Sequence, residues 1–210
     1  TRRGLPFVRY ADDSMIFCKS KRAAKRVKES ITRFIEGKLH LKVNRDKTVV
    51  SYVQGVKYLG YSFYVMKGKC QLTVHPKAKA KMKAKLKELT SRSNGWGYAK
   101  RKQKLEEYIK GWVGYYHLAN MKRFLIEMDE WLRRRLRMCI WKSWKRVKTR
   151  VANLVKCGID KYQAYMWGNS RLGYWRIAGS YILSRAITNE KLSMAGYATL
   201  MGSYIEWHPK

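Results

Sequence analysis

Tyr10-Ala11-Asp12-Asp13 sets two acidic side chains next to each other between two apolar, β-rich runs, residues 7–10 and 14–18. Adjacent carboxylates repel, and the chain is otherwise short of acid, so a hairpin tip gains no stability from the pair. Two chemistries suit it. In an ordinary Asp-rich turn the side chains hydrogen-bond their own backbone. Alternatively, a divalent cation removes the repulsion. Mg²⁺ prefers one or two carboxylates plus substrate phosphates to a full protein cage, and two such ions clamp the attacking and leaving oxygens of a phosphoryl transfer. The flanking strands and the cationic surroundings favour the metal.

The elements that position this tip are legible from pattern. Residues 7–10 and 14–18 predict a β-hairpin around Ala11-Asp12-Asp13. Ser20 is a plausible N-cap, and Ala23, Ala24, Val27, Ile31, Phe34 and Ile35 recur at helical spacing up to Gly37. A short strand over 39–43, a turn over 44–47 and a strand over 48–53 are expected next. Strands over 56–66 and 69–74 follow, around Lys67-Gly68. The first 74 residues therefore read as α+β with an antiparallel sheet.

At Pro76 the pattern changes, because proline suits a first helical position and no convincing strand follows. The expected helix 76–90 has lysine at every second position from Lys77 to Lys87. At about 100° per residue these lysines fall into two groups, with Ala78, Met82, Leu86 and Leu89 as a narrow apolar seam between them. Glu88 is the helix's one acid, so the shoulders form a single-sign surface that suits phosphates, with Lys77, Lys81 and Lys85 as candidate contacts. Further helices are expected over 105–118 and 121–146. In the second, Arg133, Arg134 and Arg137 are read as pointing largely away from the apolar face, toward nucleic acid. Trp141 and Trp144, set among cations, are candidates for stacking on bases.

Composition narrows the class. The 47 Lys and Arg against 14 Asp and Glu give a net charge of +33, which favours a polyanionic partner, and 46% hydrophobic residues exclude a disordered basic tail. The apolar runs fall short of a membrane span, so nucleic acid is the expected partner and lipid is not. Cys18, Cys70, Cys139 and Cys157 are too scattered for a zinc site or a disulfide framework, and reduced thiols in a cytosolic protein are expected. The chain opens on Thr1-Arg2-Arg3-Gly4 with no initiator Met, which reads as a fragment or a processed chain.

Four stretches together resemble the C-terminal part of bacterial group II intron-encoded reverse transcriptases, the intron maturases. Tyr10-Ala11-Asp12-Asp13 is similar to that family's catalytic palm hairpin. Leu41-Lys42-Val43-Asn44-Arg45-Asp46-Lys47-Thr48 is similar to its next palm motif. Tyr58-Leu59-Gly60-Tyr61 resembles the primer grip, and Gly111-Trp112-Val113-Gly114-Tyr115-Tyr116 resembles the signature of the maturase-specific thumb. The last sixty residues resemble the family's DNA-binding tail only in position and basicity.

The resemblance implies roles. Asp12 would be the main metal ligand with Asp13 beside it, Tyr10 would support the hairpin near the nascent strand, and small Ala11 would let the duplex approach. Lys47 would sit near the incoming triphosphate, and Tyr58, Leu59, Gly60 and Tyr61 would hold the primer end. The family's third catalytic carboxylate and its fingers have no counterpart in these residues, and neither does the endonuclease module of some members.

The expected architecture is α+β: a partial palm over 1–75 with hairpin and primer grip, a helical thumb over 76–150, and a basic helical tail over 151–210 that contacts DNA. The expected function is Mg²⁺-dependent, RNA-directed DNA synthesis within a larger protein, coupled to binding of intron RNA for splicing and to intron mobility. The expected partners are the intron RNA, a template–primer duplex, target DNA and the remaining half of the polymerase. The rival reading is a non-catalytic RNA-binding maturase scaffold; retention of the aspartate pair favours the enzyme.

Overall fold

Tight turns organise the first part of the chain in the computed structural model, which describes residues 4–209; Thr1, Arg2, Arg3 and Lys210 lie outside the described residues. Strands β1 (Phe7–Tyr10) and β2 (Asp13–Ile16) pair antiparallel, with Tyr10 opposite Asp13 and Phe7 opposite Ile16. The turn is therefore Ala11-Asp12, and Asp13, expected within it, opens the second strand. Ser20 caps helix α1 (Lys21–Lys38) by accepting the Ala23 N–H on its hydroxyl.

The strands expected over 39–43 and 48–53 do not form. The chain is irregular there apart from a turn over 45–47, and Val53–Gly55 makes one 3-10 turn. Leu41, Val49 and Tyr52 are 60%, 70% and 76% exposed. β-rich composition makes a strand only where a neighbouring strand satisfies its backbone, and among the described residues none pairs with it; the Leu41 N–H bonds the Ile35 carbonyl of α1 instead. Asn44 organises the segment instead, accepting the Lys47 N–H on Oδ1 at 3.1 Å and the Thr48 hydroxyl on its carbonyl at 2.7 Å.

A sheet of order β3-β4-β5 follows, from β3 (Lys57–Tyr58), β4 (Tyr61–Met66) and β5 (Lys69–Val74). The single strand expected over 56–66 is folded back on itself at Leu59-Gly60. The chain divides into two compact units, Thr1–Thr73 and Val74–Lys210. No described residue of the first is buried.

The second unit is helical and owns the core. His75 accepts the Lys77 N–H on its ring, and Pro76 opens α2 (Pro76–Leu89), which buries Met82, Leu86 and Leu89 as a narrow seam. Helix α3 (Tyr98–Tyr116) starts seven residues before the apolar periodicity does, because Ala, Lys, Arg and Gln propagate a helix without needing burial. Helix α4 (Lys122–Ser143) is the central element, burying Leu125, Met128, Leu132 and Leu136.

Beyond it run α5 (Val147–Lys156), α6 (Lys161–Gly168), α7 (Tyr174–Ala178), α8 (Tyr181–Ala186), α9 (Asn189–Met194) and α10 (Leu200–Glu206). Helices this short are marginal alone, and side-chain caps from Asp160, Ser180, Thr188 and Thr199 support four of them. Helices α5 and α6 cross closely: a Cβ on Gly168 would stand 2.6 Å from Val151 Cγ2. Helix α7 packs on α4, and α10 packs on both α3 and α4.

Two polar ties fix α10. Asp129 of α4 accepts the Leu200 N–H at 2.8 Å and the Met201 N–H at 2.9 Å, and the Tyr204 hydroxyl donates to the Ala119 carbonyl at 3.0 Å. Burial pushes the Asp129 carboxyl above its ordinary value, against those two amide bonds. Among the described residues, no helix is long and apolar enough to cross a membrane.

Candidate nucleic-acid interface

In the first unit Asp12 lies at the exposed tip of the β1–β2 hairpin and Asp13 at the exposed start of β2. Ala11 adopts φ +52°, in the left-handed region, and the Arg9 guanidinium holds the turn by donating to the Ala11 carbonyl at 2.9 Å. Tyr10 is 64% exposed. The two carboxylates supply hard oxygen donors, the type Mg²⁺ takes. Among the described residues no cluster of three or more His, Cys, Asp or Glu exists. The hairpin therefore fits an ion that draws the rest of its shell from phosphates, water or another carboxylate.

Lys47 is exposed at the end of the Asn44 turn, with its backbone pinned and its ammonium in solvent. Tyr58 and Tyr61 face each other across β3 and β4, so Leu59 and Gly60 are the whole loop. Both have positive φ, +50° and +80°, as a two-residue type I′ hairpin requires. Glycine suits its place; leucine does not, since its Cβ crowds the backbone there by about 1–2 kcal/mol. Strain of this kind points to use, and a half-buried tip bracketed by two tyrosines suits contact with a strand end. The Tyr58 hydroxyl is enclosed without a partner among the described residues, so only the ring of Tyr58 belongs to any such surface. Leu59→Asn should raise stability by up to about 1 kcal/mol, read as a higher urea midpoint. An unchanged midpoint would show that the turn stores no strain.

In the second unit the two lysine groups of α2 differ. Lys79 lies 4.8 Å from the Phe124 ring centroid and Lys83 5.5 Å from that of Trp131, so this shoulder leans on α4. Lys77, Lys81 and Lys85 form the other shoulder and are exposed; Lys85 pairs with Glu88 at 2.8 Å, an ion pair open to water and worth little.

The arginines of α4 do not point away as a group. Arg134 donates to the Trp175 carbonyl at 2.9 Å from Nη2 and lies over the Trp175 ring, 4.1 Å from its centroid. Gly179 makes room for it, since a Cβ there would meet the guanidinium at 2.6 Å. Arg137 donates to the Ile187 carbonyl at 2.8 Å and to Asn189 Oδ1 at 3.0 Å, and burial lowers its pKa. These two are clasps between α4 and the segments packed on it. Arg133 is half-buried and lines an open crevice of about 340 Å³ with Glu130, Arg137 and Glu190.

Trp141 is 1% exposed, so it is a core residue and has no face for a base. The hydrophobic stripe of α4 continues through it, and a tryptophan among cations in sequence says nothing of its direction in space. Trp144 is half-buried, edge-on to Trp141 with centroids 5.8 Å apart.

Sequence reasoning passed over Arg135 and Arg101. Arg135 donates to the Lys87 and Thr90 carbonyls, both at 3.0 Å, and so caps the C-terminus of α2. Its place about 60° from Leu132 on the helical wheel was the available signal. Arg101 is buried and donates to Asn94 Oδ1 at 3.1 Å. In the thumb-like signature, Gly114 lets the Trp207 ring approach to 3.4 Å from a would-be Cβ, and that ring stacks on His117 at 4.5 Å.

A partial reverse-transcriptase palm followed by an α-helical domain is the class of protein these elements define. The chain matches the family "Reverse transcriptase (RNA-dependent DNA polymerase)" over residues 1–63 and the family "Group II intron, maturase-specific domain" over residues 79–158. Over 67 residues it is 37% identical to the group II intron-encoded protein LtrA of Lactococcus lactis subsp. cremoris, and equally to LtrA of its strain MG1363. That stretch is 31% of this chain and only 11% of LtrA. The chain thus carries a reverse-transcriptase match followed by a group II intron maturase-specific match, in that order.

Proposed function

We propose that this chain works as part of an RNA-directed DNA polymerase that also binds its intron RNA as a splicing maturase and supports intron mobility in a bacterial cytoplasm. The observation that carries the reading is the exposed hairpin of Tyr10, Ala11, Asp12 and Asp13, two carboxylates at a strand tip of a chain with +33 net charge. Reverse transcriptases use divalent metal ions, and Mg²⁺ is the ion proposed here. Bound Mg²⁺ supplies charge neutralisation at the attacking and leaving oxygens of phosphoryl transfer.

The chain's own residues do the rest. Asp12 ligates the metal, and Asp13 adds negative charge beside it. Lys47 gives a proton or a positive charge to the departing pyrophosphate, and the tip formed by Tyr58, Leu59, Gly60 and Tyr61 holds the primer end. A third carboxylate and the fingers come from elsewhere in the working polymerase, whose further contacts also cover Phe7, Phe34 and Leu41, each more than half exposed here. The retained aspartate pair favours this over a non-catalytic scaffold. In this reading residues 1–75 are palm, 76–150 thumb, and 151–210 a basic region that meets target DNA.

The grip on the template–primer and intron RNA is assigned to the outward shoulder of α2. Each phosphate neutralised steepens the log-affinity against log-salt slope by about 0.7 to 0.9. Changing Lys77, Lys81 and Lys85 to Gln should therefore flatten that slope by roughly two units. The buried seam is untouched and Gln keeps the helix, so the melting curve should hold. Titration of intron RNA at several salt concentrations measures this; an unchanged slope with an unchanged melt would place the grip on other cations.

A further inference from the structure

The second unit holds a cleft of about 470 Å³ that no recognised motif occupies, within the roughly 300–1,000 Å³ of small-ligand sites. Tyr98 from the start of α3, Trp144 just past the end of α4, Leu192 of α9 and Tyr197 after it contribute walls, so the lining is largely aromatic and aliphatic. The Tyr98 hydroxyl contacts Ser143 Oγ, which fixes that ring. Trp144 is backed by buried Trp141 and remains half-exposed.

Two lysines also line the cleft. Lys191 is committed, donating to the Cys157 carbonyl at 2.9 Å and the Ala186 carbonyl at 3.0 Å. Lys102 donates to the Ala195 carbonyl at a long 3.4 Å and lies in the field of Glu106 one turn along α3; so weak a bond leaves its ammonium able to turn to another acceptor. Residues 141–189 carry ten Lys and Arg against one acid, Asp160, and that carboxylate already accepts the Tyr162 and Gln163 N–H groups. The acids nearest the lining residues in sequence are Glu190, beside Lys191, and Glu106, which already pairs with Lys110 at 2.8 Å.

We propose that this cleft takes one unstacked base of single-stranded RNA, with the base between aromatic walls and its phosphate on Lys102. The inference rests on the RNA-binding reading above and adds to it a preference for unpaired nucleotides. An apolar side chain or lipid tail would fill the walls but leave Lys102 unused. A nucleotide uses both, since every base has a π face to stack and a phosphate beside it.

The test uses the full chain and two probes, a twelve-nucleotide oligouridylate and a twelve-base-pair RNA duplex. Trp144→Ala and Ala99→Phe, the latter filling the cleft from the exposed face of α3, should each weaken oligouridylate binding about tenfold. Duplex affinity should stay within about twofold, and Trp144→Phe should restore most of the single-strand affinity. Lys102→Gln should lower the oligouridylate salt slope by about 0.7. If Trp144→Ala fails to fold, Ala99→Phe alone decides. Unchanged oligouridylate affinity in the cleft-filling variant, with duplex still bound, would overturn the cleft and leave the RNA-binding reading standing. Equal loss on both probes would also overturn it. A wild-type chain that binds neither RNA would bring down the RNA-binding reading and the cleft together.

Discussion

Asp12→Ala, made in a polymerase that carries this palm segment, should lower primer extension about a thousandfold while intron RNA affinity stays within about twofold. Metal stabilisation of a transferring phosphoryl group amounts to several kcal/mol, and each ~1.4 kcal/mol is a decade in rate. Affinity comes from cations elsewhere, since a carboxylate contributes only repulsion toward phosphate. The fold should be indifferent: Asp12 is an exposed loop residue of the β1–β2 hairpin, and its replacement empties no core. The measurement pairs single-nucleotide incorporation with an RNA-binding isotherm on the same preparation. Extension near the wild-type rate would remove Asp12 from the metal site, and a parallel fall in RNA affinity would mean that the hairpin binds rather than catalyses.

A chain ended after residue 158, where the maturase-specific match stops, should lose its cooperative helical fold. Ile177, Ile182, Leu183, Leu192, Leu200 and Tyr204 all lie beyond that point and are at most 4% exposed. Burial of such side chains contributes about 1.5–3 kcal/mol each, so their removal withdraws roughly 10 kcal/mol or more. That matches or exceeds the stability of a typical domain, about 5–15 kcal/mol. The damage extends to what remains. Asp129 would keep its buried position without the Leu200 and Met201 amides, and Arg134 and Arg137 would lose the Trp175 and Ile187 carbonyls. Circular dichroism melts of the truncated and full chains, with limited proteolysis, decide the matter. A sharp melt for the shorter chain within a few degrees of the full one would show that α10 and its neighbours are dispensable cover.

What the sequence determined by itself is local. The aspartate hairpin, the Ser20 cap, the entry of α2 at Pro76 and the buried seam of Met82, Leu86 and Leu89 each depend on residues within a few positions of one another. Turn chemistry, capping and periodicity act over that distance, so pattern suffices. The resemblance of short motifs to the intron maturases was legible for the same reason.

Tertiary structure decided the rest. Leu59-Gly60 became a hairpin loop because β3 and β4 pair with each other, while residues 39–43 and 48–53 pair with no strand among the described residues and stay irregular. Four arginines lie within residues 133–137, alike in type and differing only in wheel position. Arg134 and Arg137 became clasps because carbonyls 41 and 50 residues away come within reach, Arg135 because α2 ends beside it. Trp141 is core and Trp144 a cleft wall although they are three residues apart. A long side chain's role is set by which acceptors and rings other elements bring to it, and those lie too far along the chain for spacing to reveal.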